Sequence, residues 1–174
     1  MSKTIHRIVL TGPEATGKTS LAKALADEYA TQWVPEYARY YLTHFGPTYQ
    51  EKDLLTIAKG QLQSERTLIS SANRFLFCDT SMVVMKVWSE YKYSRTHPWI
   101  EQQLQVHRYD LYFLCYPDLP WAADPLRENA NLEERLELYD LYLDILRKHQ
   151  LPYEVLKGSG AARLAKAKEV LESL

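Results

Sequence analysis

Residues 12–20 read GPEATGKTS, two glycines, a lysine and hydroxyl side chains in a short span, and the flanks of this stretch decide the fold. Before it, residues 5–11 (IHRIVLT) form an apolar, β-branched run that ends at Gly12. After it, Lys18 to Tyr29 carries apolar residues at 21, 22, 24, 25 and 29, the spacing of one helix face. Strand, glycine-rich loop and helix therefore follow one another without a break. Gly12 to Thr19 fits G-x-x-x-x-G-K-[ST], in which glycines let consecutive backbone N–H groups converge on an anion and the helix that follows aims its positive dipole end at the same place. Four fixed positions match by accident in roughly one chain in 200 of this length at average residue frequencies. Placed between strand and helix, the loop reads as a phosphate site rather than a bare turn.

The same strand and helix alternation continues outward. Gln32–Pro35, Arg74–Asp79, Asp110–Tyr116 and Tyr153–Leu156 read as further short strands, and helical patterns are expected over 18–30, 50–72, 82–93, 97–107, 132–148 and 160–173. Five short strands alternating with helices predict an α/β fold with a parallel sheet covered on both faces. The stretch PDLPWAADPLRENAN (117–131), with three prolines, reads as a long loop within one domain spanning 1–174.

Composition narrows the classes of partner. Twenty-one Lys+Arg against 22 Asp+Glu give a net charge near -1, which argues against a broad basic surface for nucleic acid and for a small-molecule partner. No apolar stretch approaches about 18 residues and no leader pattern is visible, so a soluble cytoplasmic protein is expected. Cys78 and Cys115 each end an apolar run (RFLFC, DLYFLC), which suggests paired buried strands rather than a disulfide framework or a metal site.

A phosphate loop that serves phosphoryl transfer needs a metal-holding carboxylate, a group that orients the acceptor hydroxyl and cations that close over the moving phosphate. Lys18 would reach the β- and γ-phosphates of ATP, and Thr19 would join a Mg²⁺ shell. Asp79 ends the strand FLFCD, the position of a metal-holding aspartate, although Asp79, Thr80 and Ser81 also precede a helical pattern and Asp79 could be its N-cap. Glu36 and Arg39 follow the second strand in WVPEYAR, at the sheet edge that would face the loop; Glu36 could accept the acceptor's proton or merely favour a helix dipole. Arg127 in the 117–131 loop suits a mobile lid, and Arg135 beyond it could share that role or belong, with Glu133 and Glu134, to a solvated face. Thirteen tyrosines and four tryptophans are many for this length. Trp33, Tyr37, Tyr40, Trp88, Tyr91 and Trp121 lie near the expected sheet edge, where packing is the ordinary role and a ring-binding sandwich the functional one.

With these residues in view, the chain resembles the nicotinamide riboside kinase (ribosylnicotinamide kinase) domain of NadR-type proteins. TGPEATGKTSLAKALA, WVPEYARYYL, DLLTIAKGQ (53–61), FLFCDT, KVWSEY (86–91), YDLYFLCYPDLPWAADPLRE and YEVLKG occur in the order that family shows, and the resemblance covers essentially the whole chain. It implies a phosphate-loop NTPase fold of the nucleoside and nucleotide kinase kind, with strand order 2-3-1-4-5. It also implies transfer of the γ-phosphate of ATP to the 5′-hydroxyl of nicotinamide riboside. By the same resemblance, ATP and Mg²⁺ fall to Gly12, Pro13, Glu14, Ala15, Thr16, Gly17, Lys18, Thr19 and Ser20 with Asp79. The acceptor falls to Glu36, Tyr37, Arg39 and Asp79, its pyridinium ring to Trp88, Tyr91 or Trp121, and the lid arginine is Arg127. Two departures stand out: Ser81 replaces a commonly acidic residue, and His6, His44, His97, His107 and His149 form no H-x-G-H signature. A kinase alone is therefore expected, one that stops at the mononucleotide and binds no operator DNA. Another nucleoside or nucleoside monophosphate kinase, or a nucleotide-responsive regulatory module, would share the same loop.

Overall fold

The computed structural model describes residues 4–174. Its five strands, β1 (His6–Thr11), β2 (Gln32–Val34), β3 (Phe75–Asp79), β4 (Leu111–Cys115) and β5 (Tyr153–Leu156), make one sheet in the order β2-β3-β1-β4-β5. Every pairing is parallel. Alternation along the strands sorts the core. On β1, Ile8 and Leu10 point to one face and Val9 to the other, and all three are fully buried, which contributes about 1.5–3 kcal/mol each. One face packs Ile8, Leu10, Phe75, Phe77, Phe113 and Cys115 against helices α1 (Lys18–Glu28) and α7 (Gly160–Leu171). The other packs Val9, Val34, Leu76, Cys78 and Leu114 against α3 (Glu51–Leu68), α4 (Met82–Tyr93), α5 (Pro98–Val106) and α6 (Leu132–Lys148). The expected α/β architecture and strand order are thus those of the molecule.

Three details differ from the sequence reading. Residues 37–45, to which apolar spacing assigns no helix, form α2 (Tyr37–Phe45), a helix with only Ala38 and Leu42 buried. Its other positions are aromatic or polar, so period 3.6 is faint in the sequence. The run expected as one helix over 50–72 ends at Leu68 and tightens into a 3-10 turn, Ile69–Ser71. Cys78 and Cys115 are free and buried, as their apolar runs suggest, but β3 and β4 do not pair with each other; each pairs with β1, which lies between them. Burial pushes the Cys115 thiol up to about 11 and raises Cys78 as well, so both behave as small apolar side chains.

With β1 central, the loop that leaves it sits between the carboxyl ends of β3 and β4, where the crossovers to either side diverge. Leu10 lies opposite Asp79 and Thr11 opposite Leu114 in the ladders, so Asp79 ends its strand level with the last residues of β1, just before the loop.

Candidate active site

The glycines of the loop are required by geometry. Gly12 has φ +132°, and a Cβ there would lie 2.7 Å from the Cys115 carbonyl oxygen; Gly17 has the left-handed φ of +76° from which α1 starts. Within the loop, Thr16 Oγ1 and Lys18 Nζ both donate to the Pro13 carbonyl, at 2.8 and 2.7 Å. Thr19, in the first turn of α1, donates its hydroxyl to Asp79 Oδ2 at 2.5 Å. Asp79 is 1% exposed and its second oxygen, Oδ1, has no hydrogen-bond partner. The cap of α4 is not Asp79: Ser81 Oγ accepts the Val83 amide at 3.3 Å, which releases the Asp79 carboxylate from that duty. Serine at 81, the departure from the acidic residue of the family pattern, is thereby explained as a helix start.

Glu36 occupies the N-cap position of α2, yet its side chain caps nothing; the Tyr37 amide donates instead to Gln61 Oε1 of α3 at 2.9 Å. Burial first, and then the charge of Asp79, push the Glu36 carboxyl up to about 7, against the opposing pull of Lys18 and Arg39. Burial likewise raises Asp79, with Lys18 and the Thr19 bond drawing it down. Two carboxylates with raised proton affinity thus face one lysine at the end of the sheet.

These groups border a cleft of about 540 Å³, a size suited to a nucleotide-scale ligand. Gly12 through Ser20 line it together with Glu36, Arg39, Trp88, Tyr91 and Arg127. Asp79 reaches it only through Thr19. Tyr37 and Trp121 do not line it: Tyr37 packs across Gly60 of α3, and the Trp121 ring meets two guanidinium groups, Arg127 at 5.8 Å and Arg135 at 5.3 Å. Arg135 itself is only 4% exposed, so it does not share the solvated face of Glu133.

Several lining residues escape a sequence reading. Tyr49 ties the wall to the 117–131 loop: Trp88 Nε1 and Lys92 Nζ donate to its hydroxyl at 2.7 and 2.6 Å, and the hydroxyl donates to the Glu128 carboxylate at 3.1 Å. Its ring meets Trp88 edge to face, centroids 4.8 Å apart. Glu14, in the phosphate loop, accepts the backbone N–H groups of Glu128 and Asn129 at 3.0 and 2.9 Å. Arg39 pairs with Asp124 at 3.0 Å. The 117–131 loop, free of helix and strand as expected, is thus fastened across the cleft by charged contacts at three points.

Comparison with known proteins agrees with this fold. The chain is 28% identical over 153 residues to the trifunctional NAD biosynthesis/regulator protein NadR of Escherichia coli (strain K12), a match covering 86% of this chain and 37% of that protein. The NadR of Salmonella typhimurium is 27% identical over 157 residues, 88% of this chain and 38% of its own length. The chain therefore spans well under half the length of these curated relatives. Among solved structures, a NadR protein in complex with NR superposes with a TM-score of 0.79 at 21% identity, over 97% of this chain and 51% of that one. A thymidylate kinase from Ehrlichia chaffeensis superposes with a TM-score of 0.67 at 15% identity, over 96% and 98% of the two chains. These superpositions bear out the fold, and the NadR matches bear out the resemblance drawn from the motif order. The profile of the AAA domain family matches residues 7–163, nearly the whole chain, and with its phosphate loop in the middle of a 2-3-1-4-5 sheet this chain belongs to that family.

Proposed function

We propose that this chain is a small-molecule kinase, one domain that transfers the γ-phosphate of ATP to the 5′-hydroxyl of nicotinamide riboside to give nicotinamide mononucleotide. The observation that carries the reading is the meeting, in one cleft, of a phosphate loop, a carboxylate whose proton affinity is raised to about 7, and an aromatic wall of Trp88 and Tyr91. The similarity to NadR, and the solved NadR complexes with NR and with NAD and AMP-PNP, support the choice of acceptor and donor.

The geometry supports a role for each group. Backbone amides of residues 14–19 and the N-terminus of α1 hold the triphosphate. Lys18 leaves the Pro13 carbonyl for the β- and γ-phosphates. Thr19 and Asp79 suit Mg²⁺, because a hydroxyl and a buried carboxylate with an unpartnered oxygen form a hard oxygen donor set, and phosphates complete such shells. Bound there, Mg²⁺ would neutralise phosphate charge. With Asp79 so engaged, Glu36 is the base: it takes the proton of the acceptor hydroxyl as that oxygen bonds to the γ-phosphorus and the bond from phosphorus to the bridging oxygen of ADP breaks. Arg39 positions the acceptor beside Glu36, Trp88 and Tyr91 take the pyridinium ring, and residues 117–131 are the lid that carries Arg127 to the transferring phosphoryl group.

Phosphorylation assays with ATP across pyridinium, pyrimidine and purine nucleosides test the reading. The pyridinium nucleoside is expected to give the highest kcat/KM. Preference for a thymidine or adenosine compound would make the chain another nucleoside or nucleotide kinase, and ATP hydrolysis indifferent to every nucleoside would make it a regulatory module.

A further inference from the structure

Arg163 lies on α7, far along the chain from the phosphate loop, yet it is 1% exposed and its guanidinium ends beneath that loop. Nη1 donates to the Thr16 carbonyl at 2.5 Å. Nη2 donates to the Tyr116 carbonyl at 2.8 Å and to the Asp118 carboxylate, and Nε donates to the Gly158 carbonyl at 2.9 Å. Asp118 returns the connection by accepting the Gly158 amide at 2.7 Å. One planar fork thus fixes three segments to each other: the phosphate loop, the exit of β4 into the 117–131 loop, and the turn between β5 and α7.

The bond to Thr16 bears on phosphate binding through peptide geometry. In a trans peptide the carbonyl and the N–H of the same unit point in opposite directions. All peptides among the described residues are trans, so a guanidinium that holds the Thr16 carbonyl outward turns the Gly17 N–H the other way, toward the cleft that Gly17 lines. Gly17, at φ +76°, is free of the steric limits that would otherwise fix this plane, so the orientation needs an external anchor. Lysine offers a point charge and no fork, and cannot hold three segments in one plane.

We infer that Arg163 is a positioning residue for the triphosphate: it sets the direction of the Gly17 amide without touching the ligand. The inference rests on the phosphate-loop reading above and goes beyond it. In the full chain, Arg163→Lys is expected to weaken ATP binding by tenfold or more in calorimetry with magnesium present, and to raise the KM for ATP, while the KM for the nucleoside stays within twofold. A residue of purely structural use would lower the melting temperature and leave that split absent. Should Arg163→Lys fail to fold, Asp118→Asn retains the guanidinium but removes its anionic partner, and is expected to weaken ATP binding three- to tenfold with the nucleoside KM again unchanged. ATP affinity within twofold of the unmodified protein in whichever variant folds would overturn the inference. Absence of ATP binding by the unmodified protein would instead overturn the phosphate-loop reading itself.

Discussion

Thr19 Oγ1 and Asp79 Oδ2 stand 2.5 Å apart, so the first turn of α1 and the end of β3 are joined at the point where the phosphate loop becomes helix. The pair is half satisfied, since Asp79 Oδ1 is buried without a partner. Removing the charge while keeping the shape separates the metal role from packing. Asp79→Asn is expected to lower kcat by about 100-fold or more and to move the magnesium requirement to higher concentration, because a neutral amide oxygen is a weak ligand for a hard cation. Chelation of magnesium should reduce the unmodified protein to the level of the variant. An unchanged magnesium titration in Asp79→Asn would remove Asp79 from the metal site.

Glu36 gives a pH signature with a definite sign. Its carboxyl is raised to about 7 by burial and by Asp79, whereas a glutamate in the unfolded chain titrates near about 4.3. Between these values the folded protein keeps a proton that the unfolded chain has released, so the stability of the ligand-free protein declines as pH rises through that window. Denaturant unfolding at pH 5 and pH 8 should show this fall in the unmodified protein and a flatter response in Glu36→Gln. Activity runs the other way: a base must be ionised, so kcat/KM is expected to climb with pH through about 7. A flat pH profile for the unmodified enzyme would deny Glu36 the proton.

Trp88 tests the ring site. It lines the cleft with its indole fixed by the bond to Tyr49, so its face is presented in one orientation. A fixed positive charge on the acceptor ring gains about 0.5–2 kcal/mol from such a face. Trp88→Leu is therefore expected to raise the KM of a pyridinium nucleoside by about 2- to 30-fold and that of an uncharged nucleoside less, with the KM for ATP unchanged. Equal losses for charged and uncharged acceptors would make Trp88 a packing residue.

What could be read in advance follows from how local each signal is. The phosphate loop needs only nine adjacent residues, and the alternation of Ile8, Val9 and Leu10 encodes two buried faces by itself, so sheet and loop were legible. Asp79 had two readings, and the choice between them was legible in part: Ser81 stands next to the apolar run that starts α4 and is as good a cap. The remainder depends on distant chain. Nothing near Arg163 announces that it will meet Thr16, and the cluster of Tyr49, Lys92 and Glu128 unites three segments with no common pattern. Arg135 beside two glutamates looks solvated until Trp121 covers it. Tyr37 follows the second strand beside Glu36, but the helix that begins with it turns its ring toward α3 instead of the cleft.

Glu14 offers a test of the lid. Its carboxylate accepts two backbone N–H groups from Glu128 and Asn129, bonds made stronger by its charge, and it does so from inside the phosphate loop. Position 14 is variable in the loop pattern, so nothing in phosphate binding demands an acid there. Glu14→Ala removes both acceptors while leaving Arg39 with Asp124 and Lys92 with Glu128. Amide hydrogen exchange in the ligand-free protein should then quicken by about 10- to 150-fold at Glu128 and Asn129 and stay unchanged in β3, since loss of a charged hydrogen bond lowers local opening free energy by about 1.5–3 kcal/mol. With water less well excluded, the ratio of ATP hydrolysis to phosphoryl transfer should rise. Unaltered exchange at both amides would mean that the remaining contacts hold the loop and that Glu14 contributes nothing to closure.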